Sequence, residues 1–405
     1  MGGFPTRISY DDASRIVDRI ASERRLAHER LAIKRVDGRI LAHDLTASIG
    51  LPAFDNSRMD GFALRHADLN PESDTRLRIV GAQFAGPLLE QALQPGECIR
   101  ITTGAPLPGG VDTVVIKEDV YENEGVLTVP AGVVAGADIR RAGEDVLVGD
   151  VVLRAGSVLS PARISLAAAL GMADLEVSQR PTVAVFTTGD ELVEPGLPLV
   201  PGQIYNSNRE LLMGLLRAEG LEPVAWPVLP DDPARIETAL RDAASAFDLV
   251  ITCGGVSAGE KDHLPALLAA QGGIHFWKVK MKPGMPVLFG HLDRALFLGL
   301  PGNPVSVLAT SLTLGRQLLD GLQGRGEPRA RRFAQLSAAW KKTHDRLEFL
   351  RGRLQHGQDG MLSVLPNRAD ASHRLRAAAD SDALIVLGEG AQEFPVGSVV
   401  EVLAY

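Results

Sequence analysis

The chain has only two cysteines in 405 residues, Cys98 and Cys253, far apart and in no metal-ligand spacing. That excludes a disulfide framework and a thiolate zinc site and points to a reducing compartment. No apolar run reaches the roughly 18 residues needed to span a bilayer. The opening MGGFPTRISYDDASRIV lacks the apolar core of a secretory signal. The expectation is a cytoplasmic protein with no membrane attachment. Basic residues are outnumbered, with 42 Lys and Arg against 50 Asp and Glu for a formal charge of -8. This argues against a nucleic-acid partner, which normally meets clustered Lys and Arg. It does not exclude bound phosphate, because a few lysines and backbone N–H groups in a cleft can hold an anion on a negative protein. Internal repeats and low-complexity tracts are also lacking.

What is present is a chain that is 45% hydrophobic and too long for one ordinary core. Its size suggests about two to four domains. Residues 8 to 48 carry Ile16, Ile20, Leu26, Leu31 and Ile40 among polar positions and read as helical. Between Leu51 and Asp145, short apolar stretches such as LRIV, CIRIT, TVVIK and VLTV are separated by Gly, Pro and Asp turns. That is the pattern of a β-rich module. Residues 146 to 180 return to an extended stretch, VVLRAG, and a helix, ARISLAAALG, expected to pack with the first helices. A helical and extended linker domain over 1–48 and 146–180 is therefore predicted, with a β-rich domain inserted over 49–145.

From Pro181 strand and helix alternate: TVAVF, RELLMGLLRAEG, EPVAWPVL, DDPARIETALRDAAS, FDLVIT, HLPALLAAQGG, IHFWKVK, PVLFG, ALFLGL and a final helix from Pro304. Such an order predicts a three-layer α/β domain over 181–328, with a mostly parallel sheet and ligands at the carboxyl ends of its strands. Residues 329–405 contain FAQLSAAW, LEFLRGRLQ, LSVLP, ALIVLG and SVVEVLAY without a long helical pattern, and predict a small β-barrel.

The unusual residues fall in the loops after the α/β strands. These are Thr188, Gly189 and Glu191 after TVAVF, and Asp231, Asp232 and Pro233 after EPVAWPVL. Gly254, Gly255, Val256 and Ser257, followed by Glu260 and Asp262, come after FDLVIT. Lys282 follows IHFWKVK, with Lys278 in the strand itself, and Pro301, Gly302, Asn303 and Pro304 end ALFLGL. For any single loop an ordinary structural role suffices, since Asp232 before Pro233 is a plain helix cap. Taken together they suggest a phosphate cradle, with consecutive N–H groups at 254–257 and a helix N-terminus at Asn303. Glu191, Asp231, Asp232 and Asp262 are hard oxygen ligands of the kind magnesium accepts beside substrate phosphates and waters. Lys278 and Lys282 can neutralise a diphosphate or a tetrahedral oxyanion. A second constellation lies in the inserted module: PAFDNSRMDGF with Asp60, ITTGAP with Thr103, and RRAGED with Asp145. By chemistry alone these residues point to a phosphate-containing ligand and a divalent metal.

PAFDNSRMDGFA, RITTGAPLP, RRAGEDV, FTTGDEL, GGVSAGEKDH, FWKVKMKPG and GLPGNPVS occur in this order over nearly the whole chain. In this the chain resembles the molybdopterin molybdenumtransferase family, the molybdenum insertases, to which the E domain of gephyrin also belongs. The resemblance implies insertion of molybdate into molybdopterin-AMP with Mg2+-dependent hydrolysis and release of AMP. It also implies a homodimer of four-domain subunits whose active clefts are each shared between two chains. The protein partners it implies are a molybdopterin adenylyltransferase as supplier and molybdoenzymes as recipients. Carried over by motif, Asp60, Asp145, Glu191, Asp262, Lys278 and Lys282 take the catalytic positions, and Glu191, Asp231 and Asp262 face the metal. Thr103, Thr188, Gly189, the 254–257 turn, the 301–304 turn, Arg351 in LEFLRG and Ser372 in ASHRL take the pterin and anion positions. The sequence departs from the commonest family pattern at Met285, where many relatives carry a second lysine, and at Phe62, where tyrosine is usual. TTGDE and GGVS also resemble the pterin adenylyltransferase, and gephyrin clusters proteins. An adenylyltransferase and a non-catalytic pterin-binding scaffold are therefore the alternatives.

Overall fold

The apolar runs VAVFT, LVITC and ALFLGL form adjacent strands, buried along their length, as expected of strands covered on both faces. They belong to a computed structural model that describes every residue except 1–2, 90–91, 258–261, 358–359 and 370. The chain divides into two units, one of Met1–Glu29, Gly38–Ala42 and Val177–Tyr405, the other of Arg30–Asp37 and His43–Glu176.

In the first unit the sheet order is Thr6–Ile8, Gly272–Val279, Leu288–Leu292, Ala295–Leu300, Leu249–Cys253, Val183–Thr187, Val224–Ala225. Leu288–Leu292 runs antiparallel to both neighbours and the remaining pairs are parallel. The carboxyl ends of the loop-bearing strands therefore open on one edge. Leu212, Leu216, Leu308 and Leu319 bury one face of this sheet, and Ile236, Leu240, Leu264 and Leu268 cover the other.

The helix Tyr10–Glu23 is capped by Ser9, whose side chain accepts from the Asp12 N–H, and it buries Ala13, Val17, Ile20 and Ala21. Those residues join the α/β core, so the first helix packs within that domain. Gly321 permits this approach, because a Cβ there would lie 2.5 Å from that of Ala21. The helical reading of residues 8 to 48 also fails beyond Glu23. His28–Ala32 alternates exposure as a strand does, and Gly38, at φ +67, turns the chain after it. Leu26 and Leu31 continue an apparent helical spacing past Glu23 into a segment that forms a strand.

The helix that starts at Pro304 runs to Leu322 with a π turn at Ser311–Gly315. Thr310 and Thr313 donate their hydroxyls to the carbonyls of Ser306 and Ala309, the back-bonding that loosens a helical ladder. After it, Arg332–Leu336, Leu347–His356, Leu362–Pro366, Ala383–Leu387 and Val399–Ala404 pair in a closed ring around Leu336, Leu350, Val364, Ile385 and Val402. This is the expected small barrel. Met281–Lys282 leaves the α/β sheet and pairs with Leu347 and Glu348 of the barrel.

The second unit centres on a six-stranded sheet in the order Thr113–Ile116, Gly61–Leu64, Glu97–Ile101, Thr75–Gln83, Val126–Val129, Tyr121–Asn123. Gly61 is required where the strands meet, since a Cβ there would fall 1.9 Å from the Val115 carbonyl oxygen. No helix among the described residues is long and apolar enough to cross a membrane.

Candidate active site

At the carboxyl edge of the α/β sheet, four loops, joined by Ile204 and by Pro286 of the loop after Lys282, line one cavity of about 460 Å³. Thr188, Gly189 and Glu191 come from the first and Asp231 from the second. Gly254, Gly255, Val256, Ser257 and Asp262 come from the third, and Pro301, Gly302 and Asn303 from the fourth. Glu260 lies outside the described residues. Glycine is needed at three of these positions for different reasons. Gly189 sits at φ +143 with the Glu191 carboxylate folded over it, where a Cβ would come within 2.4 Å of Oε2. Gly254, at φ +102, presses on Thr188, and Gly255, at φ +70, on Leu264. One expectation needs correction here. The Gly254 N–H is committed to the Leu300 carbonyl at 3.0 Å, so it holds the strand end together and is not a donor to the cavity.

The acids differ in role. The Asp232 carboxylate accepts from the N–H groups of Ala234 and Arg235 and is a helix cap. Asp190 accepts from the Asp231 N–H at 3.0 Å and so sets the second loop beside the first. The carboxylates of Glu191, Asp231 and Asp262 line the cavity without all lying within 4.8 Å of one another. Such a set fits magnesium, which is usually held by one or two carboxylates together with substrate phosphates and water.

The lysines stand apart from this lining. Lys278 adopts φ +69, a left-handed conformation that costs a side-chain-bearing residue ~1–2 kcal/mol. Its ammonium lies 4.1 Å from the centroid of the Trp277 ring. Lys282, carried onto the barrel, pairs with Glu348 at 3.0 Å and lines a small cleft with Pro283, Val305 and Arg351. Arg351 is buried and donates to the carbonyls of Ala369, Ala371 and Arg374. It thereby fixes the loop carrying Ser372, whose Oγ accepts from Asn303 Nδ2 at 3.0 Å. Asn303 thus reaches toward the barrel instead of capping its own helix, which Pro304 opens.

In the second unit, register explains the companion constellation. Gly61 pairs with Ile101 and with Ile116, which puts Asp60 between Thr103 and Lys117. Asp60 Oδ1 accepts from both the N–H and the hydroxyl of Thr103, at 2.8 and 2.9 Å, and Lys117 Nζ is 3.9 Å from Oδ2. The Thr103 N–H first, then its hydroxyl, hold the Asp60 carboxyl below the ordinary carboxylate range. Asp60 also lines a second hollow of about 460 Å³ with Phe62, Phe84, Arg100 and Lys117. Asp55 ties the 52–62 loop to the 140–145 loop by accepting from the Ala142 N–H at 2.8 Å and the Arg141 guanidinium at 2.6 Å. Asp145 is exposed on that second loop, its N–H bonded to the Leu51 carbonyl.

TVVIK, FWKVKMKPG and LEFLRG contain Lys117, Trp277 and Glu348, but nothing within those runs marks these residues out. Only strand register and the docking of 281–282 on the barrel bring them to these places.

Three family models match in succession: MoeA N-terminal region (domain I and II) over residues 8–171, a probable molybdopterin binding domain over 184–321, and MoeA C-terminal region (domain IV) over 334–405. The molybdopterin molybdenumtransferase of Haemophilus influenzae is 40% identical over 379 residues, 92% of this chain and 93% of that one. That of Bacillus subtilis is 32% identical over 374 residues, 90% of this chain and 87% of its own. A crystal structure of the molybdopterin biosynthesis moeA protein of Pyrococcus horikoshii superposes with a TM-score of 0.84 at 26% identity, covering 98% of this chain and all of that one. The chain belongs to the molybdopterin molybdenumtransferase family.

Proposed function

We propose that this protein inserts molybdate into the dithiolene of molybdopterin-AMP, with hydrolysis of the phosphoanhydride and release of AMP, as a cytoplasmic step of molybdenum cofactor assembly. The observation that carries the reading is the single cavity in which a glycine turn, a helix start and three acids converge from four loops. The N–H groups of Gly255, Val256 and Ser257 and the Thr188 hydroxyl bind the phosphates. Glu191, Asp231 and Asp262 hold Mg2+, which when bound neutralises charge on the departing phosphate and orients water. Lys278 and Lys282 receive oxyanion charge. Arg351 acts through the loop that presents Ser372 to Asn303.

In this reading the protein works as a homodimer, and Asp60, Thr103 and Asp145 of one chain complete the site of the other. A molybdopterin adenylyltransferase supplies the substrate and molybdoenzymes take the product.

The N-terminal and C-terminal family regions, present around the central domain, favour insertion over adenylyl transfer. The test uses two incubations. With molybdopterin-AMP, Mg2+ and molybdate the protein releases AMP; with ATP and molybdopterin it forms no pyrophosphate. The reverse pattern identifies an adenylyltransferase, and pterin binding without either product identifies a scaffold.

A further inference from the structure

Trp277 stands beside Lys278 in FWKVKMKPG with no role in the proposed chemistry, yet it touches two parts of the site. It lies in the strand Gly272–Val279, between Thr6 on one side and Leu288 on the other, so its backbone is fixed from both directions. Its indole N–H donates to the Val256 carbonyl at 2.8 Å, inside the 254–257 turn. Its ring lies 4.1 Å beneath the Lys278 ammonium. Regular strand alternation would send neighbouring side chains to opposite faces. The left-handed conformation at Lys278, with its N–H turned to the Val287 carbonyl, is what brings the ammonium back over the preceding ring. Strained backbone at a side-chain-bearing residue is maintained only where its surroundings enforce it, and it gathers at functional sites.

The two contacts have different strengths and therefore different consequences. A neutral N–H to carbonyl bond to a turn that opens with two glycines at positive φ restricts the turn's orientation, and with it the N–H groups of Gly255 to Ser257. A half-exposed ammonium over an aromatic face is held weakly enough for a phosphate or oxyanion to draw it away.

We propose that Trp277 is a positioning residue that couples the anion cradle to Lys278. Its N–H fixes the 254–257 turn, and its ring face holds the Lys278 ammonium in a waiting position that an incoming oxyanion vacates. This rests on the reading of 254–257 as the anion cradle.

Two measurements test it. In a full-length chain carrying Trp226→Phe and Trp340→Phe, Trp277 is the one remaining indole of the original three. Adding AMP should change its emission saturably as the ammonium leaves the ring. Lys278→Met should shift the starting emission and abolish the AMP-induced change. In the otherwise native chain, Trp277→Phe keeps an aromatic face and removes the donor. It should raise KM for molybdopterin-AMP about fivefold and leave kcat within about twofold, the size of one lost neutral hydrogen bond. Trp277→Leu removes the face too, and in that background Lys278→Met should cost less than in the native chain. An unchanged KM in Trp277→Phe, or an AMP response that survives Lys278→Met, overturns the coupling and leaves the cradle standing. Failure of the native chain to bind AMP removes both.

Discussion

The Lys282 ammonium lies 3.0 Å from Glu348 Oε1, on a carboxylate that is buried beneath the barrel edge. The same oxygen is 3.4 Å from His344 Nε2, and the buried Lys342 donates to the carbonyls of His344 and Gly390 close by. An oxyanion that uses Lys282 must compete with Glu348 for it.

Glu348→Gln should therefore lower the molybdate concentration for half-maximal insertion by roughly three- to tenfold. It should also destabilise the fold by about 1–3 kcal/mol, since the basic groups around it lose their counter-charge. Lys282→Met should raise the molybdate requirement sharply, and Met285→Lys should lower it, mainly at low ionic strength. Initial rates against molybdate at fixed molybdopterin-AMP provide the measurement. If these substitutions shift only the dependence on molybdopterin-AMP, the cluster faces the diphosphate.

Gly189 offers a way to move an acid without changing it. A methyl group at this position meets the Glu191 carboxylate at 2.4 Å, at a φ of +143 that disfavours any side chain. Gly189→Ala should raise the magnesium concentration for half-maximal AMP release about tenfold, with a stability loss of about 1 kcal/mol or more. Equal magnesium dependence in variant and native protein would separate Glu191 from the metal.

The α/β domain was legible because its strands are continuous apolar runs and its site residues sit at strand ends, where both features are local in sequence. Thr188, Glu191, Asp231, Ser257, Asp262 and Asn303 do share one cavity, as their loops implied. What sequence could not supply was contact made through register or through docking of distant segments. Asp60 meets Lys117 because both flank paired strands, and Lys282 meets Glu348 because two residues cross to the barrel. The helix boundary at Glu23 was lost for a different reason: Leu26 and Leu31 prolong an apparent helical spacing into a segment that forms a strand.

Asp60 and Asp262 lie in different units of the chain. Asp60→Asn and Asp262→Asn should each abolish most AMP release while leaving the melting temperature within about 1–2 °C, because loop carboxylates contribute little to a core. If two chains share each site, mixing the two inactive variants should restore part of the activity, since a heterodimer then holds one intact site. Absence of recovery despite proven subunit exchange indicates that each chain completes its own.

His275 gives a pH dependence unrelated to catalysis. Burial first, then the neighbouring His291, push its pKa down from 6.5 to about 4. The unfolded chain thus takes up a proton near pH 6.5 that the folded chain refuses until about pH 4. Stability from this group is present above pH 6.5 and is lost as pH falls through that window. After discounting for the ring's partial exposure the loss is about 1–2 kcal/mol. His275→Gln should flatten this part of the profile of unfolding free energy against pH, and an unchanged profile would show that the ring is solvated in the folded state.

The central claim is that one site links phosphoanhydride hydrolysis to metal insertion. Purified protein mixed with molybdopterin-AMP, Mg2+ and molybdate should release AMP and form the molybdenum dithiolene in equal amounts over the same time course, and omission of molybdate should suppress both. Release of AMP at the same rate with no dithiolene formed, or formation of the dithiolene while molybdopterin-AMP remains intact, would contradict it.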